Sequence, residues 1–407
     1  MYDIGIVGAG ISGLHLALRL QQLGVRTTLY AERTPEELAA SRPLNMVARF
    51  APTRAREREL GVAHWNDPAY GMFGAKVSVL ANAPMEFYGR LEPPGESVDF
   101  RVYLPRLMAD YAERGGVLEY LAPDAESIIR RSARHDLVVV ASGRRSVAEL
   151  FPRDPVRSLF DTPQRMITAG FYHGIAPMPE RAMQYQFCPG VGEIFGWRFL
   201  HLDGLVHGIT IEAIPGGPFS YLAELSYDDD PAGFIRNVLK TFAEYAPGLR
   251  ERIDEREFHL ARPNDVLRGG ITPTVRTGWA ALPDNKYAVA IGDAWLLNDP
   301  IAGQGANTGS HSAFVLAEEI MAGPPFDESF CRAAQARLWE LARPATEWSN
   351  SYLLPPSKHR GELLAAACAD VRVADAYITN INDPAAMWDV LSTPERAAAW
   401  LLSVRQQ

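Results

Sequence analysis

Hydrophobic positions in "YDIGIVGAGISGLHLALRLQQLGVRTTLYAER" (2–33) fall into three runs separated by glycine. The short run Ile4, Ile6, Val7 predicts a strand. Leu14, Leu16, Leu18 and Leu20, with Leu23, predict a helix that Gly24 ends. "RTTLYA" predicts the next strand, so the segment reads as a βαβ unit. Further on, "HDLVVVASGRRS" predicts a buried strand over Leu137–Val140, ending in the small turn Ala141-Ser142-Gly143. "KYAVAIGDAW" predicts another, ending at Gly292-Asp293.

Between them, from about residue 155 to 270, the texture changes. "RMITAGFYHGI", "AMQYQFC", "GWRFLHLDGLVHGITIEAI" and "FSYLAELSYDDD" predict strands separated by Gly, Pro and Asp turns. They predict a mixed or antiparallel sheet inserted into the nucleotide-binding domain. Beyond residue 320 the pattern is mostly helical, punctuated by Pro324, Pro325, Pro355 and Pro356. The expected fold is α/β, with a discontinuous Rossmann-like domain (1–150 and 271–345), an inserted β-sheet domain (151–270) and a C-terminal helical segment (346–407).

Composition changes this picture little. The 407 residues suffice for two or three domains, and 47% hydrophobic with 22% charged is ordinary for a soluble globular protein. A net charge of −9 argues against nucleic acid or an anionic membrane as the main partner. Cys188, Cys331 and Cys368 show no metal-ligand spacing, fit a reducing cytoplasm, and each reads as a buried small hydrophobe. There is no apolar run of ~18 residues, and the N-terminal apolar run begins with Asp3 and moves straight into glycines, unlike a signal peptide. The expectation is a cytoplasmic protein.

Gly8-Ala9-Gly10-Ile11-Ser12-Gly13 matches GxGxxG between a strand and a helix. In that context Gly8 permits the tight turn, Gly10 lets backbone approach a pyrophosphate, and Gly13 lets helix and strand pack closely. The acidic residue that usually holds the adenosine ribose is displaced. Ala31 takes its place and Glu32 follows one residue late, so either Glu32 reaches from a shifted turn or Arg33 and backbone groups substitute. A second glycine-rich turn, "GDAWLLNDPIAGQGAN", points to a flavin. Asp293 is placed to hydrogen-bond a ribityl chain, and the turn through Pro300, Gly303, Gly305, Ala306 and Asn307 starts a helix. Its N–H groups and dipole suit the pyrimidine edge of an isoalloxazine, where negative charge collects on reduction.

The two motifs together resemble the p-hydroxybenzoate hydroxylase type of FAD-dependent hydroxylase. "VDFRVYLPRLMADY" fits that pattern, and the resemblance implies that Arg101 contacts the FAD phosphates; otherwise it is a surface arginine before a helix opened by Pro105. A closer resemblance lies in "RPLNMVARF" (42–50), "GMFG" (71–74), "MEFYGRLE" (85–92), "SYDDDPAGF" (226–234) and "ATEWSNSYL" (345–353). These stretches are similar to the epoxidase component of two-component styrene and indole monooxygenases, over essentially the whole chain. The resemblance implies that reduced FAD (FADH2) arrives from a separate NADH-dependent flavin reductase and reacts with O2 to a C4a-hydroperoxide. Its distal oxygen passes to a small aromatic substrate: a vinyl arene, indole or a sulfide. A single-component NAD(P)H-dependent aromatic hydroxylase and a fold-related binding protein are the alternatives, and a homodimer stays open.

Such a transfer needs a dry pocket near the flavin and no side-chain nucleophile or acid–base pair. No catalytic triad or carboxylate pair is evident in the sequence. The run Asp228-Asp229-Asp230 reads as a turn before Pro231, and His15, His173, His201 and His207 read as structural, without metal spacing. The resemblance places Arg42 and Asn45 beside the flavin, with Asn45 and Pro300 in the reaction itself. It places Val47, Ile301 and Ala302 against substrate. Arg49, Met72 and Ala75, which the resemblance places at the substrate, and Gly95 depart from a typical styrene epoxidase, and an arginine at 49 with a smaller residue at 75 would alter pocket size and polarity.

Overall fold

The computed structural model describes residues 2–81 and 84–406; the outer limits expected for the first and last segments, residues 1 and 407, lie outside it. Fifteen strands are present among the described residues: β1 (Asp3–Val7), β2 (Arg26–Ala31), β3 (Gly71–Val79), β4 (Met85–Glu96), β5 (Val117–Tyr120), β6 (Leu137–Val140), β7 (Met166–Tyr172), β8 (Met183–Cys188), β9 (Gly192–His201), β10 (Gly204–Ala213), β11 (Val266–Gly270), β12 (Thr274–Val275), β13 (Trp279–Leu282), β14 (Lys286–Ala290) and β15 (Leu296–Leu297).

Six of them form one sheet in the order β13-β14-β6-β1-β2-β5. All neighbours run parallel except the β13–β14 pair. Ile4, Ile6 and the whole of β6 are buried, as strands covered on both faces require. The first helix (Ile11–Gln22) buries Leu14, Leu16, Leu18 and Leu20 completely. Leucines two apart point all around a helix, so this one is wrapped on every side, partly by the helix Gly305–Met321.

Seven strands form the second sheet, in the order β11-β7-β10-β9-β8-β3-β4. It is mixed: β3 pairs parallel to β8, and the other neighbours are antiparallel. The insertion is therefore broader than expected, because β3 and β4, from within 1–150, complete this sheet. The boundary expected at residue 345 is also corrected, since one helix runs unbroken from Glu328 to Leu353. "FSYLAE" is not a strand. Phe219 and Leu222 lie three apart and bury together, which a 3-10 turn over Ser220–Glu224 permits and a strand does not. Pro105 lies inside the helix Phe100–Glu113, which starts earlier than expected because Asp99 caps it.

Alternation gives the second sheet two faces. Ile194, Ile209 and Ile211 pack beneath the helix Pro231–Tyr245. On the other face Ala75, Val77, Phe195, Trp197 and Phe199 meet the C-terminal helices. Among the described residues, no helix is long and apolar enough to cross a membrane, and no cluster of three His, Cys, Asp or Glu side chains suits a metal ion.

Candidate active site

Both glycine motifs converge at the carboxyl end of β1, although nearly three hundred residues separate them. Ser12 joins them: a Cβ on Gly292 would lie 2.6 Å from its Oγ, and one on Gly309 only 2.3 Å away. The Ser12 side chain is thus a buried spacer between the two loops.

The glycines of the first loop serve different ends. A Cβ on Gly13 would come within 1.9 Å of the Gly8 carbonyl oxygen, and Gly8, at φ 115°, abuts the Ala141–Ser142 backbone. A Cβ on Gly10 would meet nothing within 4 Å, and the same holds for Gly305 in the second loop. At these two positions bare backbone faces open space. Neither the Ile11–Gln22 nor the Gly305–Met321 helix has a capping side chain or an acidic residue in its first turn. By contrast, Asp99, Asp124, Asp230 and Asp327 cap their helices. Two uncapped helix starts beside open backbone fit the anionic parts of FAD, which would satisfy the free N–H groups.

Asp293 follows Gly292, which sits at φ 58°, and rests against Gly143 at the end of β6. Its side chain reaches solvent, yet surrounding protein pushes its carboxyl above the usual range, as expected of a group inside a cleft. Glu32 and Arg144, just beyond β2 and β6, form an ion pair across the end of β1. Arg33 is half-buried beside Glu32.

Several expected ligands have other partners. Arg101 is buried, with its guanidinium 2.6 Å from both Asp99 and Asp265 and 2.8 Å from His201 Nε2. Two carboxylates already neutralise it, so it ties the Phe100–Glu113 helix to the second sheet and is neither a free phosphate ligand nor a surface residue. Asn307 spends its side-chain amide on protein. Its Oδ1 accepts from the Phe50 N–H and Thr53 Oγ1, and its Nδ2 donates to the Ala48 and Gly303 carbonyls. It anchors the 42–50 segment to the second glycine loop and has no side-chain donor left for a flavin.

Arg49 is likewise not a pocket residue. Its guanidinium is fully buried, 2.5 Å from Glu57 and 3.4 Å from Glu96, over the Tyr103 ring at 4.7 Å. Tyr103 donates to Glu57 and lies 2.8 Å from His15 Nε2, while Ser310 Oγ lies 2.9 Å from His15 Nδ1. Burial lowers the His15 pKa to about 4, so the imidazole is a neutral structural link.

Val47 packs into the core of the parallel sheet. Its neighbour Met46 instead reaches the second sheet, with its sulfur 3.9 Å from Thr210 Oγ1. Met72 is buried against Gly95, where an added Cβ would lie 2.6 Å from its Cε. Met72 thus occupies the space that a side chain at position 95 would take. Arg42 and Asn45 are exposed, and Arg42 pairs with Asp228 at 3.0 Å.

A cavity of about 450 Å³ lies between the second sheet and the C-terminal helices. Val77, Tyr185, Phe187, Trp348, Tyr352 and Leu364 supply much of its wall. Ile301 and Ala302 line it too, placing it beside the second cofactor loop, and Ala75 lies on the same strand face as Val77 but is fully buried. Pro300 opens the short turn Pro300–Ala302, which Asp299 caps through the Ile301 N–H at 3.1 Å. Phe187, Tyr185, Phe195, Trp197 and Phe199 stack in succession with ring centroids 5.5–6.4 Å apart. The alternation in "MQYQFC" and "IFGWRFL" carried the signal for this aromatic face, which the sequence reading left unused. Arg165 and Glu193 provide a polar end, paired at 2.6 and 2.9 Å. Cys188 also lines the cavity, but burial pushes its thiol up to about 12, so it stays protonated. Cys368 is exposed, unlike the other two cysteines.

Residues 143–252 match the family described as the styrene monooxygenase A putative substrate binding domain. The chain is 38% identical to styrene monooxygenase StyA of Pseudomonas fluorescens, over 98% of this chain and 97% of that one. Its likeness to StyA of another Pseudomonas species has the same identity and coverage. Among solved structures, it resembles the flavin-dependent brominase Bmp2 with a TM-score of 0.71 at 16% identity, covering 100% of both chains. A flavoprotein/dehydrogenase from Cytophaga hutchinsonii gives 0.65 at 13% identity, covering 99% of each. At those identities the structural likeness speaks for the fold alone, that of the p-hydroxybenzoate hydroxylase type.

Proposed function

The chain belongs to the styrene monooxygenase family of FAD-dependent monooxygenases, and from that premise we propose that it epoxidises a small apolar aromatic, a vinyl arene or indole, and oxidises sulfides, inside the cavity beside Ile301 and Ala302. The observation carrying this reading is the cavity itself: about 450 Å³, walled mainly by aromatic and aliphatic side chains, and bounded by the second cofactor loop.

When bound, reduced FAD together with O2 supplies an electrophilic oxygen. The chain's own residues do the rest. Backbone at Gly10 and the uncapped start of the Ile11–Gln22 helix would receive the pyrophosphate, with Gly8 and Gly13 allowing the turn and the close packing behind it, and the uncapped helix start at Gly305 and Ala306 would receive the flavin's anionic edge. Asp293, and Glu32 once released from Arg144, are the side chains proposed to take the ribityl and ribose hydroxyls. Tyr185, Phe187 and Trp348 hold an aromatic ring and exclude water, which favours oxygen transfer over loss of peroxide. Burial keeps the Tyr185 and Tyr377 hydroxyls neutral, so the charges on the wall are the Arg165–Glu193 pair and Arg360, which lies over the Tyr352 ring at 4.9 Å.

The reduced cofactor comes, in this proposal, from a separate NADH-dependent flavin reductase. Anaerobic mixing of the protein with FAD and NADH or NADPH tests it. The flavin is expected to keep its absorbance until a flavin reductase is added. Rapid bleaching by the chain alone would replace this reading with a single-component hydroxylase. Admitting air with styrene and indole together then reports which one is oxidised.

A further inference from the structure

Behind the Pro300–Ala302 turn, three carboxyl groups converge on one guanidinium. Arg165, just ahead of β7, is committed to Glu193 of β9 by two hydrogen bonds, at 2.6 and 2.9 Å. The other two carboxyls, Glu212 on β10 and Asp299 before the turn, face each other. Glu212 is wholly buried and Asp299 is 2% exposed, so bulk water satisfies neither. Neither Glu212 oxygen nor Asp299 Oδ2 has an N–H or hydroxyl donor among the described residues. Two buried carboxylates in contact repel, and desolvation penalises both, so the arrangement is stable only with a proton between them.

We propose that Glu212 and Asp299 share one retained proton, and that this proton holds the Pro300–Ala302 turn against the cavity. Glu212 is then a positioning residue. Its protonated carboxyl donates to Asp299, and Asp299 in turn receives the Ile301 N–H at 3.1 Å. Ser349 Oγ fixes the same residue by donating to the Asp299 carbonyl at 3.0 Å. Loss of the proton places a second negative charge beneath the turn and drives Asp299 off Glu212. The other titratable groups lining the adjoining cavity are Tyr185, Tyr352, Tyr377, Cys188 and the cationic Arg360, and burial keeps Tyr185, Tyr377 and Cys188 protonated.

Burial raises both carboxyl pKa values, Asp299 to about 6 and Glu212 well above its ordinary value, with mutual repulsion and Glu193 adding to the Glu212 rise. The native state therefore binds the proton more tightly than the unfolded chain. This pair's contribution to stability is fully present below the ordinary carboxyl range and is lost as pH rises through the raised values. Buried His15 and His207, lowered to about 4 and about 3, act in the opposite direction below the ordinary histidine pKa. A comparison between variants removes that background.

The test uses the full chain without flavin or substrate. Hydrogen exchange of the Ile301 and Ala302 amides, corrected for its intrinsic pH dependence, is followed upward from roughly pH 7 to 10, through the range in which the last proton leaves the pair, in wild type and Glu212→Gln. Gln keeps a neutral donor, so the wild-type turn is expected to lose protection by about tenfold more than the variant. Equal pH profiles overturn the proposal. Should Glu212→Gln not fold, infrared spectroscopy of wild type decides: a protonated-carboxyl carbonyl band persisting at neutral pH supports the shared proton, and its absence overturns it. The bearing on turnover rests on the proposed function, whereas both readouts do not, so failure of one is distinguishable from failure of the other.

Discussion

Around β1 the site is made of backbone: a glycine whose carbonyl oxygen another glycine must approach, two helix starts without capping side chains, and two glycines facing open space. Across β8 and β9 it is made of side chains: a row of five stacked rings, a cavity, and one ion pair at its end. In the proposed function the first region meets the phosphates of FAD, and its backbone leaves little room for a side chain at Gly8 or Gly13. In the proposed function the second would hold a substrate mostly by shape and apolar contact, which many combinations of side chains can supply. Backbone recognition is local and leaves a motif, while side-chain recognition is assembled from distant strands and leaves little.

That contrast breaks most sharply inside the first glycine loop. Gly13→Val forces a Cβ into the Gly8 carbonyl at 1.9 Å and is expected to abolish the folded cofactor domain, read by circular dichroism and loss of FAD binding. Gly10→Val, whose Cβ meets no protein atom, is expected to fold normally and lose FAD affinity by about 100-fold, roughly 2.7 kcal/mol. An unchanged FAD affinity in Gly10→Val would show that the pyrophosphate lies elsewhere.

Next in size is Arg49→Met, which leaves the buried Glu57 without its cation, while Arg54 still pairs with Glu96. Urea unfolding should show a loss of about 3–5 kcal/mol, while the ratio of styrene to indole oxidation stays as in wild type. A changed ratio with intact stability would return Arg49 to the pocket. Within the cavity, Val77→Phe is expected to cut turnover of the bulkier substrate about tenfold, or ~1.4 kcal/mol, with FAD affinity unchanged. Equal losses for small and bulky substrates would argue against the cavity as their site. Smallest is Asn45→Ala. This exposed residue should move stability by no more than about 0.5 kcal/mol. Product formed per reduced flavin should nevertheless fall; a wild-type yield on every substrate removes Asn45 from the reaction.

Much of the molecule was legible in its sequence for reasons that can be stated. The βαβ unit, the buried strands β6 and β14, and both glycine turns follow from short-range spacing: a tight turn needs glycine within a few residues of the strand it ends. Asp230 before Pro231 reads as a turn and serves as a helix cap for the same reason. The side-chain assignments fared differently. Arg101, Asn307 and Ser12 lie in motifs that touch the cofactor loops, yet besides local partners (Asp99 for Arg101, Gly303 for Asn307) the first two side chains turn to protein 60 or more positions away in the chain: Ser41 and His201 for Arg101, Phe50 and Ala48 for Asn307. A motif specifies where the backbone goes and leaves open which neighbour claims the side chain.

By itself, then, the sequence determined the cofactor half: strand, turn and helix N-terminus are encoded within about a dozen neighbouring residues, and their geometry follows from backbone sterics. The tertiary structure alone decided that β3 and β4 join the second sheet, that Arg49 is neutralised by Glu57, and that Glu212 meets Asp299 across 87 positions of sequence. The reason is physical. Burial and charge pairing depend on which surfaces meet, and that is settled only when the two sheets and the C-terminal helices close around a common cavity.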